Sequence, residues 1–313
     1  MKKILFVALM ALVFVGCSKS TSDQTPNSLQ QSGLNGPVKS VDMRTYEATT
    51  YFGDVKKGDP ISTEDMSFNF PLYAGLRYDY NSDGNEVQVT MRNKEGQIDQ
   101  MQKKEYFQNH LIGEKYYDNR GDLSYSWRYE IKNDKPVSKI TTFYFPGVSG
   151  SDQNFAESDT LECVFDGFLL KASYEKKDGK TLLESECKYE RGLIVSQVNY
   201  YNWDNGVFRA EWKRNDAGMI TRFSITNDEK EMVAEDLTYD ERGFLMRYIL
   251  RGMEFKESES LDYTFEYLSV DEYGNWTRRV VNKDQMPRYL QERTILYYDD
   301  QPEQKGRPER EKR

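Results

Sequence analysis

The chain has 313 residues, with 43 Lys and Arg against 52 Asp and Glu and a formal net charge of −9. That balance argues against nucleic acid, where affinity rests on cationic contacts to phosphate, and against docking on anionic lipid headgroups. Apolar residues make up 37%, below the globular norm of about 45–50%, yet aromatics reach 14% with 23 Tyr; this excludes a disordered composition and suits a thin sheet whose Tyr hydroxyls stay wet.

Lys2 and Lys3 precede an unbroken apolar run, Ile4 to Val15, which ends at Gly16 and Cys17. The run is too short to cross a hydrocarbon core as a helix, which takes about 20 residues, and its layout is that of a secretory signal. Gly16-Cys17 resembles the lipobox of bacterial lipoproteins, with Phe14 where that family usually carries Leu. The resemblance implies a signal peptide over 1–16, cleavage before Cys17, and acylation there. The protein would then be exported and held in the outer membrane by lipid alone, facing the periplasm or the cell surface. No Asp follows the Cys to argue for retention in the inner membrane. Residues 17–35 are polar and read as a lipidated Cys with a flexible tether. Residues 299–313, with Pro302 and Pro308, read as a disordered tail, which leaves 36–298 as the folded domain.

Within that domain, turn signals recur at Gly84, Gly96, Gly121, Gly167, Gly179, Gly192, Gly206, Gly218, Gly243 and Gly274, many of them about 12 or 25 residues apart. The segments between them alternate with period two. Tyr125, Trp127, Tyr129 and Ile131 oppose Ser126, Arg128, Glu130 and Lys132. Phe208, Ala210 and Trp212 oppose Arg209, Glu211 and Lys213. Leu261, Tyr263, Phe265 and Tyr267 oppose Asp262, Thr264 and Glu266. Short strands with one apolar face predict an all-β fold, a large antiparallel meander packed on one side and wet on the other. Twist over so many strands predicts a strongly curved sheet, rolled into a partial or closed barrel.

Tyr117-Asp118-Asn119-Arg120-Gly121-Asp122-Leu123 and Tyr239-Asp240-Glu241-Arg242-Gly243-Phe244-Leu245 share the pattern Tyr-Asp-x-x-Gly-x-Leu; looser copies start at Tyr189 and Asp271. The pattern resembles the YD repeat of the Rhs family of bacterial cell-surface proteins. It is also similar to lipoproteins of gut Bacteroides-type bacteria that carry segments like Asp271-Glu272-Tyr273-Gly274-Asn275-Trp276. The resemblance spans roughly 78–279 and implies a sheet built of strand–turn repeats curling around an interior. It does not imply a toxin shell, for which the chain is too short.

Several residues are candidates for chemistry. Asp79, Asn81 and Asp83 match the first half of a calcium loop, although Thr90 stands where its bidentate carboxylate belongs and the same residues suit a hairpin turn. His110 is the single histidine, which excludes multi-histidine metal sites, and its setting reads as a solvated turn. Cys163 and Cys187 occupy matching repeat positions two strands apart. At about 9.6 Å they lie beyond the roughly 7 Å a disulfide tolerates, so they are expected as free, partly buried thiols. Trp127, Tyr129, Trp203, Trp212, Tyr263 and Trp276 form a candidate ligand platform or, on the alternation, the covered face of the sheet. No nucleophile elbow, phosphate loop or dinucleotide fingerprint occurs. The reading is a non-enzymatic envelope or cell-surface lipoprotein, without cofactor unless calcium, that binds a protein or glycan partner through a curved β surface. A glycan-acting hydrolase using paired carboxylates and a purely structural envelope protein are the alternatives.

Overall fold

A computed structural model of the chain describes residues 27–52, 54–61, 75–145, 155–177, 180–201, 206–252 and 260–298. Cys17, Trp203, the signal segment and the tail 299–313 lie outside the described residues.

The sheet is antiparallel throughout and closes into an 18-stranded barrel with one extra strand, as the alternation and expected curvature require. The seam is β1 (Val38–Tyr51), which pairs on one side with β19 (Met286–Tyr297) and on the other with β3 (Gly75–Tyr80). The extra strand, β2 (Asp54–Pro60), folds back on the second half of β1. Each remaining strand pairs with its neighbours in sequence. These are β4 (Glu86–Arg92), β5 (Ile98–Phe107), β6 (His110–Tyr117), β7 (Leu123–Lys132) and β8 (Lys135–Phe145). Next come β9 (Phe155–Asp166), β10 (Leu169–Lys177), β11 (Lys180–Glu190), β12 (Leu193–Tyr201) and β13 (Gly206–Arg214). The meander ends with β14 (Ile220–Asn227), β15 (Lys230–Tyr239), β16 (Leu245–Gly252), β17 (Leu261–Val270) and β18 (Trp276–Lys283).

Two turn chemistries set the register. Gln108-Asn109, Asn133-Asp134, Arg191-Gly192, Asp228-Glu229 and Asp284-Gln285 have positive φ at both positions, the geometry that matches strand twist in two-residue hairpins. The YD-like turns are different and share one hydrogen-bond scheme. At Asn81, Asn93, Asp118, Asn215, Asp240 and Asp271 the backbone N–H donates to the carbonyl four residues on, and the side-chain oxygen accepts the N–H of that same residue. The Gly at the fourth position holds φ between +78° and +85°. In four of the six the residue after it is buried, as Asn85, Met219, Phe244 and Asn275, whereas Gln97 and Asp122 stay exposed. The Asp or Asn is therefore the seat of the turn, competing locally for backbone donors that no strand can satisfy.

The register carries a single face around the barrel. Val41 lies opposite Tyr78, Tyr78 opposite Val89, Val89 opposite Gln102, Gln102 opposite Tyr116, and Tyr116 opposite Tyr125. Further round, Tyr248 meets Tyr263, Phe265 meets Val281, and Val281 meets Tyr289. This is the inner face. It is most fully buried from β15 through β19 to β4, where Met43, Leu76, Tyr248, Tyr263 and Val281 lie in two clusters. Each such side chain contributes about 1.5–3 kcal/mol on burial. The opposite face carries charge in cross-strand rows: Arg222 with Asp236 at 2.9 Å, Arg247 with Asp262 at 2.5 Å, and Glu292 between Lys57 at 2.7 Å and Arg278 at 3.6 Å. A barrel that spans lipid needs the reverse, since each Arg or Lys facing the bilayer midplane costs about 2–4 kcal/mol. This barrel's outer face is built for water.

Residues 27–35 depart from the expected tether. Asn27 and Gln30 form a reciprocal capping box that starts a one-turn helix, α1 (Ser28–Gln31), and Leu29 is buried against the inner cluster. The segment lies across one rim of the barrel. The Leu29 N–H donates to the Gly84 carbonyl at 2.9 Å, the Asn35 N–H to Asn275 Oδ1 at 2.8 Å, and Asn275 Nδ2 returns a bond to the Asn35 carbonyl at 2.9 Å. The folded unit thus begins before residue 36, because an amphipathic turn with its own cap can bury Leu29.

A half-open aromatic wall inside the barrel

Between β6 and β9 the inner face changes character. Tyr116, Tyr125, Trp127 and Tyr129 are half-buried, and Phe143 is 40% exposed. Strand alternation puts them on one face, and register stacks them across strands. Tyr116 lies 5.4 Å from Tyr125, and Tyr125 lies 5.1 Å from Phe143. In the neighbouring file Trp127 lies 5.2 Å from Tyr129, and Tyr129 lies 4.9 Å from Phe165.

Polar groups fix this wall. Glu114, buried on β6 in phase with Tyr116, accepts from Tyr116 Oη at 2.6 Å and from Trp127 Nε1 at 2.9 Å. These bonds lock the indole plane, and burial together with Glu114 pushes the Tyr116 phenol well up. Glu86 binds Lys104 at 2.6 Å. Burial alone would lower the Lys104 ammonium, but Glu86 and Glu114 outweigh it and hold it above its ordinary value. Lys139, opposite Tyr129, places its ammonium 5.4 Å from the Trp127 ring. Glu86 and Glu114 are thus both engaged, one with a cation and one in orienting two aromatic rings. The wall offers half-open ring faces, one cation and a fixed carboxylate, a set suited to holding a ligand.

The sequence candidates separate in the structure. Trp127 and Tyr129 form the open wall, whereas Trp212, Tyr263 and Trp276 are buried parts of the core. Asp79 is turned to Arg77 at 2.7 Å, and Asn81 Oδ1 is occupied by the N–H groups of Asp83 and Asn85. Among the described residues no three His, Cys, Asp or Glu converge as a metal-ligand set. His110 stacks on Phe168 at 4.3 Å on the rim where α1 lies. Cys163 and Cys187 are free thiols on β9 and β11 with β10 between them; Ser173 of β10 lies opposite Cys163 on one side and Ser185 on the other. Burial pushes the Cys163 thiol up to about 11, which makes it a poor nucleophile. Sequence reasoning missed Glu114, Lys104, Lys139, Phe143 and Phe165. The available signal was phase: Glu114 stands two residues from Tyr116, on the apolar side of its strand.

No family model and no curated protein matches the chain. Among solved structures it is similar to a porin-like protein from Bacteroides uniformis, at 13% identity and TM-score 0.33, covering 84% of this chain and 98% of that one. It is also similar to two TcdB2–TccC3 crystal structures. One, TcdB2-TccC3-TEV, matches at 13% identity and TM-score 0.25, over 81% of this chain and 19% of that one. The other, without the hypervariable C-terminal region, matches at 12% identity and TM-score 0.26, over 79% and 18%. This chain spans about a fifth of the length of those two proteins.

Proposed function

We propose that the protein is a non-enzymatic binding protein of the cell envelope, tethered by a lipid on Cys17, that takes a glycan on the aromatic inner wall of its barrel. The observation that carries the reading is the polarity of the barrel. Rows of cross-strand ion pairs lie on the outer face, and inside, where burial is greatest on the β15–β4 side, the β6–β9 side leaves ring faces open beside Glu114 and Lys139. Sugar rings offer C–H faces to aromatic planes and hydroxyls to such polar groups. The lipid and the envelope location rest on the residues around Cys17.

The test uses the mature chain with Cys17→Ser, screened on a glycan array. Hits are then titrated by tryptophan fluorescence against Trp127→Ala and Lys139→Met, with melting curves to confirm that both variants fold. Binding that weakens at least about tenfold in folded Trp127→Ala supports the wall as the site. An array without hits, or hits indifferent to both substitutions, sinks the reading.

A further inference from the structure

Inside the packed half of the barrel lie two arginines that the aromatic wall does not use. Arg279 on β18 is 5% exposed, and its guanidinium lies 4.2 Å from the Trp276 ring and 4.5 Å from Phe265. Its Nε donates to Gln291 Oε1 at 2.7 Å and its Nη1 to Tyr267 Oη at 3.1 Å. Arg293 on β19 lies 3.6 Å over the same Trp276 ring, and its Nε is buried without a hydrogen-bond partner. Tyr78, Tyr80 and Tyr267 surround it. Among the described residues no carboxylate forms an ion pair with either guanidinium. Lys104, by contrast, has Glu86 as its counter-charge. Two adjacent buried cations sharing one indole and no counter-charge are strongly unfavourable alone. Burial and the neighbouring Arg279 depress Arg293 to about 9, which still leaves it charged at neutral pH. Arg293 as a whole is only half-buried, so part of its side chain meets solvent.

We infer that Arg279, Arg293 and Trp276 form an oxyanion site inside the barrel, which takes the carboxylate or phosphate of an acidic ligand. Arg279 already gives Nε to Gln291 and Nη1 to Tyr267, so it contributes mainly its charge; Arg293, stacked on the indole, is the one that can turn an edge toward a planar oxyanion. The inference deepens the reading of the interior as a binding surface and does not depend on the lipid anchor.

The experiment is a set of melting curves of the mature chain in acetate, galacturonate, phosphate or sulfate, each against chloride at the same ionic strength. An anion that occupies the site raises the melting temperature by about 2–4 °C at ten times its Kd. The acetate and galacturonate arms separate a carboxylate ligand from a phosphate one. The response vanishes in Arg293→Met, which also melts higher than the parent in chloride because an uncompensated charge is gone. No difference among anions overturns the inference. So does an Arg293→Met chain that is less stable in chloride, since the charge would then be neutralised within the protein. A response retained in Trp127→Ala keeps this site standing even where the aromatic wall binds no glycan.

Discussion

Glu235 shows how strongly the interior acts on a single residue. It lies on β15 opposite Phe223 and Leu250, in phase with the buried stripe. Burial pushes its carboxyl up to about 7 from 4.5, opposed only in part by a hydrogen bond with Tyr248. A carboxyl whose folded pKa is raised keeps its proton longer in the native state than in the unfolded one. Stability therefore falls as pH rises from about 4.5 through 7, and above that the full cost is present. At about 1.4 kcal/mol per pH unit, that cost is on the order of 3 kcal/mol. Glu235→Gln keeps the shape and removes the titration. Its urea midpoint should exceed the parent's at pH 8 and match it near pH 5. Equal midpoints at pH 8 would show that Glu235 is solvated. The two arginines beside Trp276 escaped the sequence reading for a related reason. Thr277-Arg278-Arg279-Val280 looks like a wet face, because nothing local marks Arg279 as the inward residue.

At the scale of elements, the turns were the most legible part and the rim segment the least. Asp118 and Asp240 announce their turns because an Asp followed three residues later by Gly is the local solution for those backbone donors. Gly121 isolates the backbone contribution: its φ is +83°, and a Cβ there would meet nothing within 4 Å. Gly121→Ala should thus destabilise by about 1–2 kcal/mol through conformation alone, while Gly121→Asn should recover part of that loss. Indistinguishable denaturation curves for the parent and Gly121→Ala would remove the left-handed requirement. The segment 27–35 was hidden in a polar stretch, where a capping box of four residues carries little statistical weight beside Ser, Gln and Gly. Its burial makes a firm prediction. Leu29→Ala should cost about 2–3 kcal/mol, whereas a true tether residue would cost nothing measurable. Alternation on β7, β13 and β17 was read correctly because period two is local. Closure was left open between partial and complete, because the β1–β19 pairing joins residues such as Val41 and Ile295.

On the scale of the whole molecule, what matters is which way the barrel is turned inside out. Its outer surface holds Arg222, Asp236 and Arg251 in one row and Arg247 with Asp262 in the next, on strands where a membrane barrel would meet hydrocarbon. Its inner surface holds the aromatics. If lipid on Cys17 is the sole attachment, the two properties separate cleanly in one experiment. The chain carrying Cys17→Ser, exported with an ordinary cleavable signal, should appear in the soluble periplasmic fraction. It should run as a folded species without detergent and keep its melting temperature. The parent should stay with the membrane until detergent is added, because two or three acyl chains hold it at about 0.8 kcal/mol per buried CH₂. A Cys17→Ser chain that remains membrane-bound after a high-salt wash would mean that the protein surface itself meets lipid. The charged rows would then have to be covered by a partner. A parent chain already soluble would remove the anchor and leave a freely diffusing barrel.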